Sequence, residues 1–173
     1  IKLEIDPYHH MLRALSKDEM PLTFLDFIRS GNAVLFANAQ QETAVGSVAN
    51  DVLASTDDIP MVDIASGLPR DATVLFFGTP EEMERVRGTL FDDPTAEAIQ
   101  DGAVRAWVEA DRAGRIWLFA VAEDVERIAP TLRTLRYYRG QSFLISTEQD
   151  RPSSGRWPVT KGPLTFSWRD DPE

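Results

Sequence analysis

The stretch Thr73-Val74-Leu75-Phe76-Phe77-Gly78-Thr79-Pro80-Glu81-Glu82-Met83 decides the fold. Its Val-Leu-Phe-Phe run lacks polar alternation, as a strand covered on both faces requires. Thr79 then stands as an N-cap, Pro80 at the first helical position and Glu82 at the third, the reciprocal capping box that starts a helix. Met83, Val86 and Leu90 recur at helical spacing and give that helix a core face. A buried strand running straight into a capped helix is the repeating step of an α/β domain.

The same alternation extends upstream. Ala33–Ala37 reads as a buried strand, and Val45, Val48, Ala49, Val52 and Leu53 mark a helix near Thr43–Ala54. Pro60–Ala65 reads as a short strand. Before them, Thr23–Arg29 is a helix stopped by Ser30-Gly31-Asn32. Asp6-Pro7 starts a turn, Met11, Leu12 and Leu15 sit at helical spacing, and Ile1–Ile5 alternates like a short strand or a connection.

Downstream, Ala103–Glu109 and Ile116–Ala122 flank Ala110-Asp111-Arg112-Ala113-Gly114-Arg115, a hairpin turn with its glycine near the end. A helix near Val125–Leu135 follows, which Pro130 kinks or splits. Ser142–Ser146 is a strand, Pro152-Ser153-Ser154-Gly155 a loop, and Leu164–Trp168 a terminal strand. The expected architecture is a single three-layer α/β domain with a central, mainly parallel (mixed) sheet flanked by helices. It is Rossmann-like, without a nucleotide-binding glycine loop. Within 1–173 the opening segment and helices occupy 1–30, the α/β core 33–146, and a C-terminal tail packing on that core 147–173.

At 173 residues the chain is long enough to bury a substantial core without disulfides, and it contains no cysteine. Thiol chemistry and cysteine–zinc sites are therefore excluded. The net charge of −10 disfavours nucleic acid and anionic membranes, and the basic residues read as scattered. No apolar run approaches the roughly 20 residues that span a bilayer. Because the first residue is Ile rather than Met, the chain reads as an excised domain or a processed product, with any leader or anchor outside it.

No catalytic constellation emerges. The only histidines, His9 and His10, are adjacent, so their side chains diverge and rarely share one metal. Neither the metallopeptidase His-Glu-x-x-His pattern nor a Gly-x-Ser-x-Gly elbow occurs. Ser142 reads as an ordinary hydrogen-bonding strand residue. The carboxylate pairs Glu81/Glu82, Asp92/Asp93, Glu109/Asp111 and Glu123/Asp124 fall mostly at helix starts and turns, where they complement helix dipoles. After Ala33–Ala37 comes Asn38-Ala39-Gln40-Gln41-Glu42-Thr43-Ala44-Val45-Gly46, with one glycine where a dinucleotide fingerprint needs three. No cofactor is expected. The aromatic residues Tyr137, Tyr138, Phe143, Trp157, Phe166 and Trp168 gather in the last quarter, either as core and overlying tail or as a face for another domain.

The opening Asp6-Pro7-x4-Leu12-Arg13-x-Leu15-x3-Glu19-x-Pro21-x-Thr23 resembles the start of an accessory domain that follows the M1-type zinc aminopeptidase-like domain in some bacterial proteins. That pattern runs Asp-Pro-x4-Phe-Arg-x-Leu-x3-Glu-x-Pro-x-Thr, so Leu12 stands in place of Phe. The closing Tyr138, Ser142, Leu144, Gly155, Trp157, Pro158, Pro163 and Leu164 resemble the same family's His-Tyr-Gly-Lys-Tyr-Ser-Tyr-Leu, Gly-x-Trp-Pro and Ser-Pro-Leu segments. Here Tyr137 replaces His, Arg139 Gly, Gly140 Lys, Gln141 Tyr, Phe143 Tyr and Gly162 Ser. Any ligand held by the family's His and Lys has lost those groups in this chain.

The resemblance implies a non-catalytic accessory domain packing on, or assisting, the catalytic part of a larger peptidase-like protein, with an extracytoplasmic parent favoured. The partner is then the neighbouring domain of the parent chain, through Arg13, Glu19, Tyr137, Tyr138, Trp157 and Trp168. Arg13 and Glu19 are expected to pair and fix the angle of the incoming chain. A different class of function is a small-molecule or peptide-binding module at the carboxyl edge of the sheet, using Asn38, Gly78, Thr79 and Glu123. A third is a hydrolase built on two convergent carboxylates.

Overall fold

In a computed structural model, the structure describes residues 2–4, 20–30, 32–37, 52, 59–62, 68–69, 71–91, 99, 101–147, 152–158 and 165–167. The chain divides into two compact units, Leu22–Arg156 and a smaller one formed by Ile1–Pro21 with Trp157–Glu173. In the smaller unit, strands β1 (Lys2–Glu4) and β8 (Thr165–Ser167) pair antiparallel, with Leu3 opposite Phe166. The terminal strand read from sequence is therefore present, and the opening segment, read as a strand or a connection, forms a strand at Lys2–Glu4.

The larger unit is a mixed α/β fold around six strands. These are β2 (Ala33–Ala37), β3 (Thr73–Gly78), β4 (Val104–Ala110), β5 (Ile116–Ala122), β6 (Phe143–Ser146) and β7 (Ser153–Gly155). They lie in the order β2-β3-β5-β4-β6-β7. Parallel pairing is confined to one end, β2 to β3 to β5. The hairpin places β4 antiparallel to β5, and β6 and β7 continue antiparallel beyond it. Outside β2, Met61 forms a parallel bridge to Leu35, which is what remains visible of the strand expected at Pro60–Ala65. Of the helix expected near Thr43–Ala54, only Val52 is described, and it is helical; the rest lies outside the described residues.

β7 corrects the sequence reading. Ser-Ser-Gly has poor strand propensity and reads as a loop, yet it pairs with Phe143–Ile145. Tertiary pairing, with the Ser142 N–H donating to the Gly155 carbonyl at 2.7 Å, overrides local preference.

Side chains alternate across the strands, so the two faces separate cleanly. One face presents Leu35, Leu75, Phe77, Leu118, Ala120, Val104, Ala106, Val108 and Leu144. These residues form one cluster with Phe24 and Phe27 of α1 (Phe24–Arg29) and with Ile128 and Leu132 of α3 (Ile128–Thr134). Pro130 does not break α3. The segment Val125–Arg127 is a separate 3₁₀ turn, so Pro130 falls in the first turn of the α-helix, where its missing N–H costs nothing.

The other face carries a row of rings across the strands, and Trp117, two residues along β5, stacks on its member Phe119 at 5.4 Å. Phe36, Phe76, Phe119, Trp107 and Phe143 are register partners on five successive strands, and Gly155 completes the row on the sixth. Neighbouring strands stand about 4.8 Å apart, so rings in one row come into stacking distance. Centroids are 5.5 Å apart for Phe36–Phe76, 5.4 Å for Phe76–Phe119 and 4.9 Å for Phe119–Trp107. At the row's end a Cβ on Gly155 would come within 2.5 Å of the Phe143 ring, so the ring occupies that space.

Helix α2 (Pro80–Leu90) starts at the capping box read from sequence: the Thr79 N–H donates to Glu82 Oε2 at 2.8 Å. Met83 and Val86 are buried as expected, but so is Arg87, whose guanidinium lies over the rings of Phe91 and Phe119. Arg87 donates to Glu109 Oε1, which also accepts from Trp107 Nε1 at 2.8 Å. A parallel arrangement holds Asp111, whose Oδ2 accepts from Arg115 Nε at 2.7 Å and Trp117 Nε1 at 3.1 Å. Burial works against ionisation of Asp111, but the hydrogen bonds from Trp117 and Arg115 outweigh it and hold the carboxyl below its ordinary value. Asp111 thereby fixes the hairpin turn, where Gly114 takes a positive φ of 80°.

Candidate interaction surface

The C-terminal end of α3 and the turn into β6 form a corner built on a three-residue spacing. Leu132, Leu135 and Tyr138 point inward: the two leucines are buried, and Tyr138 packs half-buried against the aliphatic cluster. Arg133, Arg136 and Arg139, one residue on in each case, are exposed. Arg133 lies in the last turn of α3, Arg136 in the 3₁₀ turn Leu135–Tyr137 that follows, and Arg139 in the turn beyond it. Tyr137 projects between them at 72% exposure, with the Arg136 guanidinium 4.8 Å from its ring centre.

Backbone contacts fasten this corner to its neighbours. The first two N–H groups of α1, Phe24 and Leu25, donate to the carbonyls of Gln141 at 2.9 Å and Arg139 at 2.8 Å. These contacts satisfy orphan helix donors with a loop rather than with water. Ser142 is fully buried; its Oγ donates to the Leu22 carbonyl at 2.6 Å, and its carbonyl accepts from Val108 N–H at 2.9 Å. It is a structural tie between the segment before α1, β4 and β7, as the sequence reading of an ordinary hydrogen-bonding residue anticipates. Arg156 Nε donates to the Gly140 carbonyl at 2.7 Å, which adds another exposed guanidinium to the turn.

The charge here runs against the rest of the molecule. From 127 to 147 the sequence holds four arginines and no aspartate or glutamate, within a chain of net charge −10. Of the arginines that read as scattered along the sequence, Arg133, Arg136 and Arg139 are thus exposed at the end of α3 and the turn after it. The signal that locates them is the interleaving of Leu132-x-x-Leu135-x-x-Tyr138 with Arg133-x-x-Arg136-x-x-Arg139.

The remaining expected site residues are distributed as follows. Trp157 is half-buried and belongs to the smaller unit. Arg13, Glu19, Asn38 and Trp168 lie outside the described residues, as do His9, His10 and the Asp92/Asp93 pair. At the carboxyl edge, parallel pairing brings Gly78 and Thr79 beside the end of β5, two residues before the exposed Glu123. The Glu82 carboxylate already occupies this edge: a Cβ on Gly78 would stand 2.7 Å from Glu82 Oε2. The carboxylate that caps α2 therefore sits where an anionic ligand would approach the helix N-terminus. Glu109 and Asp111 are each engaged by an arginine and a tryptophan. Among the described residues no group of three or more His, Asp or Glu side chains is placed to hold a metal ion, and no helix is long and apolar enough to cross a membrane.

Comparison of the chain with models of known protein families, with characterised proteins and with solved structures finds no match.

Proposed function

We propose that the chain is a non-catalytic accessory domain of a larger bacterial M1-type peptidase-like protein, packing on or assisting its catalytic part. In this reading the larger unit is a three-layer, Rossmann-like frame, and the corner at 132–142 is the surface it offers to its neighbour. The observation that carries the reading is Tyr137, an aromatic side chain at 72% exposure on a turn tied to α1 and β7. Tyrosine and arginine are the residue types most often found where binding energy concentrates. The resemblance at the chain's ends adds support. Of its closing residues, Tyr138, Ser142, Leu144 and Gly155 all contribute to this corner or to the strands beside it.

The test is calorimetric titration of the chain with the separately produced upstream portion of its parent. Saturable association, weakened at least tenfold by Tyr137→Ala with the fold retained, is the expected result. Tyr137 is the residue to change because Tyr138 also serves the core. Absence of association, even with the two portions tethered and probed for protection from proteolysis, refutes the reading.

A further inference from the structure

We propose that the Asp101–Gly102 step is a site of spontaneous backbone modification, at which Asp101 passes through a cyclic succinimide to an isoaspartyl linkage. Asp-Gly occurs once in the 173 residues, and Asn-Gly does not occur. The step lies in the bend immediately before β4, and both of its residues are exposed. Among the described residues, the Asp101 carboxylate has no hydrogen-bond or ionic partner and the Gly102 N–H has no acceptor. The fold requires glycine here. Gly102 has a φ of 145°, and a Cβ would stand 2.4 Å from Ile145 Cγ2. The aspartate is therefore followed, by structural necessity, by the residue that offers least steric obstruction.

The reaction needs no partner but water. The Gly102 amide nitrogen attacks the protonated Asp101 side-chain carboxyl carbon, and a new N–C bond closes the ring. The amide proton and the carboxyl hydroxyl leave together as water. Water then returns to one of the two ring carbonyls. Opening at the side-chain carbonyl restores aspartate, whereas opening at the main-chain carbonyl leaves the peptide running through the side chain and frees the α-carboxylate. Nothing is oxidised or reduced. Other aspartates are protected by their surroundings. The Asp111 carboxylate is held by Arg115 and Trp117, and Asp124 accepts from the Glu126 N–H and precedes the β-branched Val125.

The product has a structural consequence. An isoaspartyl link lengthens the main chain by one methylene just before β4 meets β6. There the Ala103 N–H donates to the Ser146 carbonyl at 2.9 Å, and Val104 stands opposite Ser146 in register. The modification therefore loosens the first contact between these strands. The experiment incubates the 173-residue chain in heavy-oxygen water at neutral pH with gentle warming, while circular dichroism confirms that it stays folded. Tryptic peptides, of which 88–105 carries the site, are mapped by mass spectrometry with electron-transfer fragmentation, which separates isoaspartate from aspartate.

The expected result is heavy-oxygen incorporation and isoaspartate at residue 101, accumulating several times faster than at Asp111 or Asp124. Asp101→Glu keeps the charge at an exposed position but needs a larger, slower-forming ring, so it abolishes the signal. In the modified fraction, hydrogen exchange of the Ala103 N–H is expected to be faster than in the unmodified chain. Modification at residue 101 no faster than at Asp124 overturns the inference. So does modification that appears only in urea, because the folded bend then protects the step. Isoaspartate at residue 101 with unchanged Ala103 exchange overturns the loosening of β4.

Discussion

The two faces of the central sheet solve the same burial problem with different chemistry. On one, Leu35, Leu75, Val104, Val108, Leu118 and Leu144 meet Phe24, Phe27, Ile128 and Leu132, and no charge is involved. On the other, a row of rings is crossed by Arg87 from α2, which brings a buried guanidinium against Phe119 and a partner in Glu109. The aliphatic face depends on volume alone and tolerates exchange among similar residues. The aromatic face depends on register, because each ring needs its neighbour on the next strand and Glu109 needs both Arg87 and Trp107. Specificity of strand order thus resides mainly on the aromatic face.

The sharpest way to break this contrast is to truncate one residue on each face. Trp107→Ala removes a fully buried ring, its stacking on Phe119 and a donor to Glu109. The expected cost is about 3–5 kcal/mol, against about 2–5 kcal/mol for Leu118→Ala across the sheet. Equilibrium denaturation in urea measures both. A Trp107→Ala cost below that of Leu118→Ala shows that the row fills space and does nothing more.

A smaller effect isolates the charge. Glu109→Gln removes the carboxylate charge beside the buried Arg87 guanidinium. The expected loss is about 3 kcal/mol, at the lower end for a broken buried pair because the Glu109 side chain keeps 24% exposure. Arg87→Met combined with Glu109→Met removes both charges and is expected to recover most of that stability. A double variant no better than the single one indicates that the pair contributes through packing of the guanidinium on Phe91 and Phe119 rather than through its charge.

The aliphatic face and the strands beneath it were largely legible from sequence. Unbroken apolar runs at 74–77 and 116–122, the capping box at Thr79–Glu82 and the glycine at 114 each carry a local signature that the fold obeys. Strand order was not legible, because pairing β6 against β4 and β7 against β6 depends on contacts between segments far apart in the chain. Ser153–Gly155 had no local reason to be a strand. Arg87 occupies the i+4 position of the Met83 stripe, where a charged residue reads as solvent-facing unless Glu109 is known to lie opposite. The candidate surface was half legible. Tyr137 and Tyr138 stood out as aromatics, but only the fold separates one as exposed from the other as half-buried against the core.

The finest test compares two glycines, one read from sequence as helical and the other as part of a loop. Gly88 lies exposed inside α2, with nothing within 4 Å of where a Cβ would stand. Gly155 closes the aromatic row, with the Phe143 ring atoms at 2.5 and 2.9 Å from the same point. Alanine at Gly88 has helical geometry available and restricts the unfolded chain, so Gly88→Ala is expected to stabilise by about 0.5–1 kcal/mol. Alanine at Gly155 forces the ring off its strand partner, with an expected cost of about 1–2 kcal/mol. The opposite signs, read from paired urea denaturation curves, would show that the row of rings reaches the last strand. If Gly155→Ala is neutral, Phe143 has another position of equal energy, and the register of β7 must be held by the Ser142–Gly155 hydrogen bond instead.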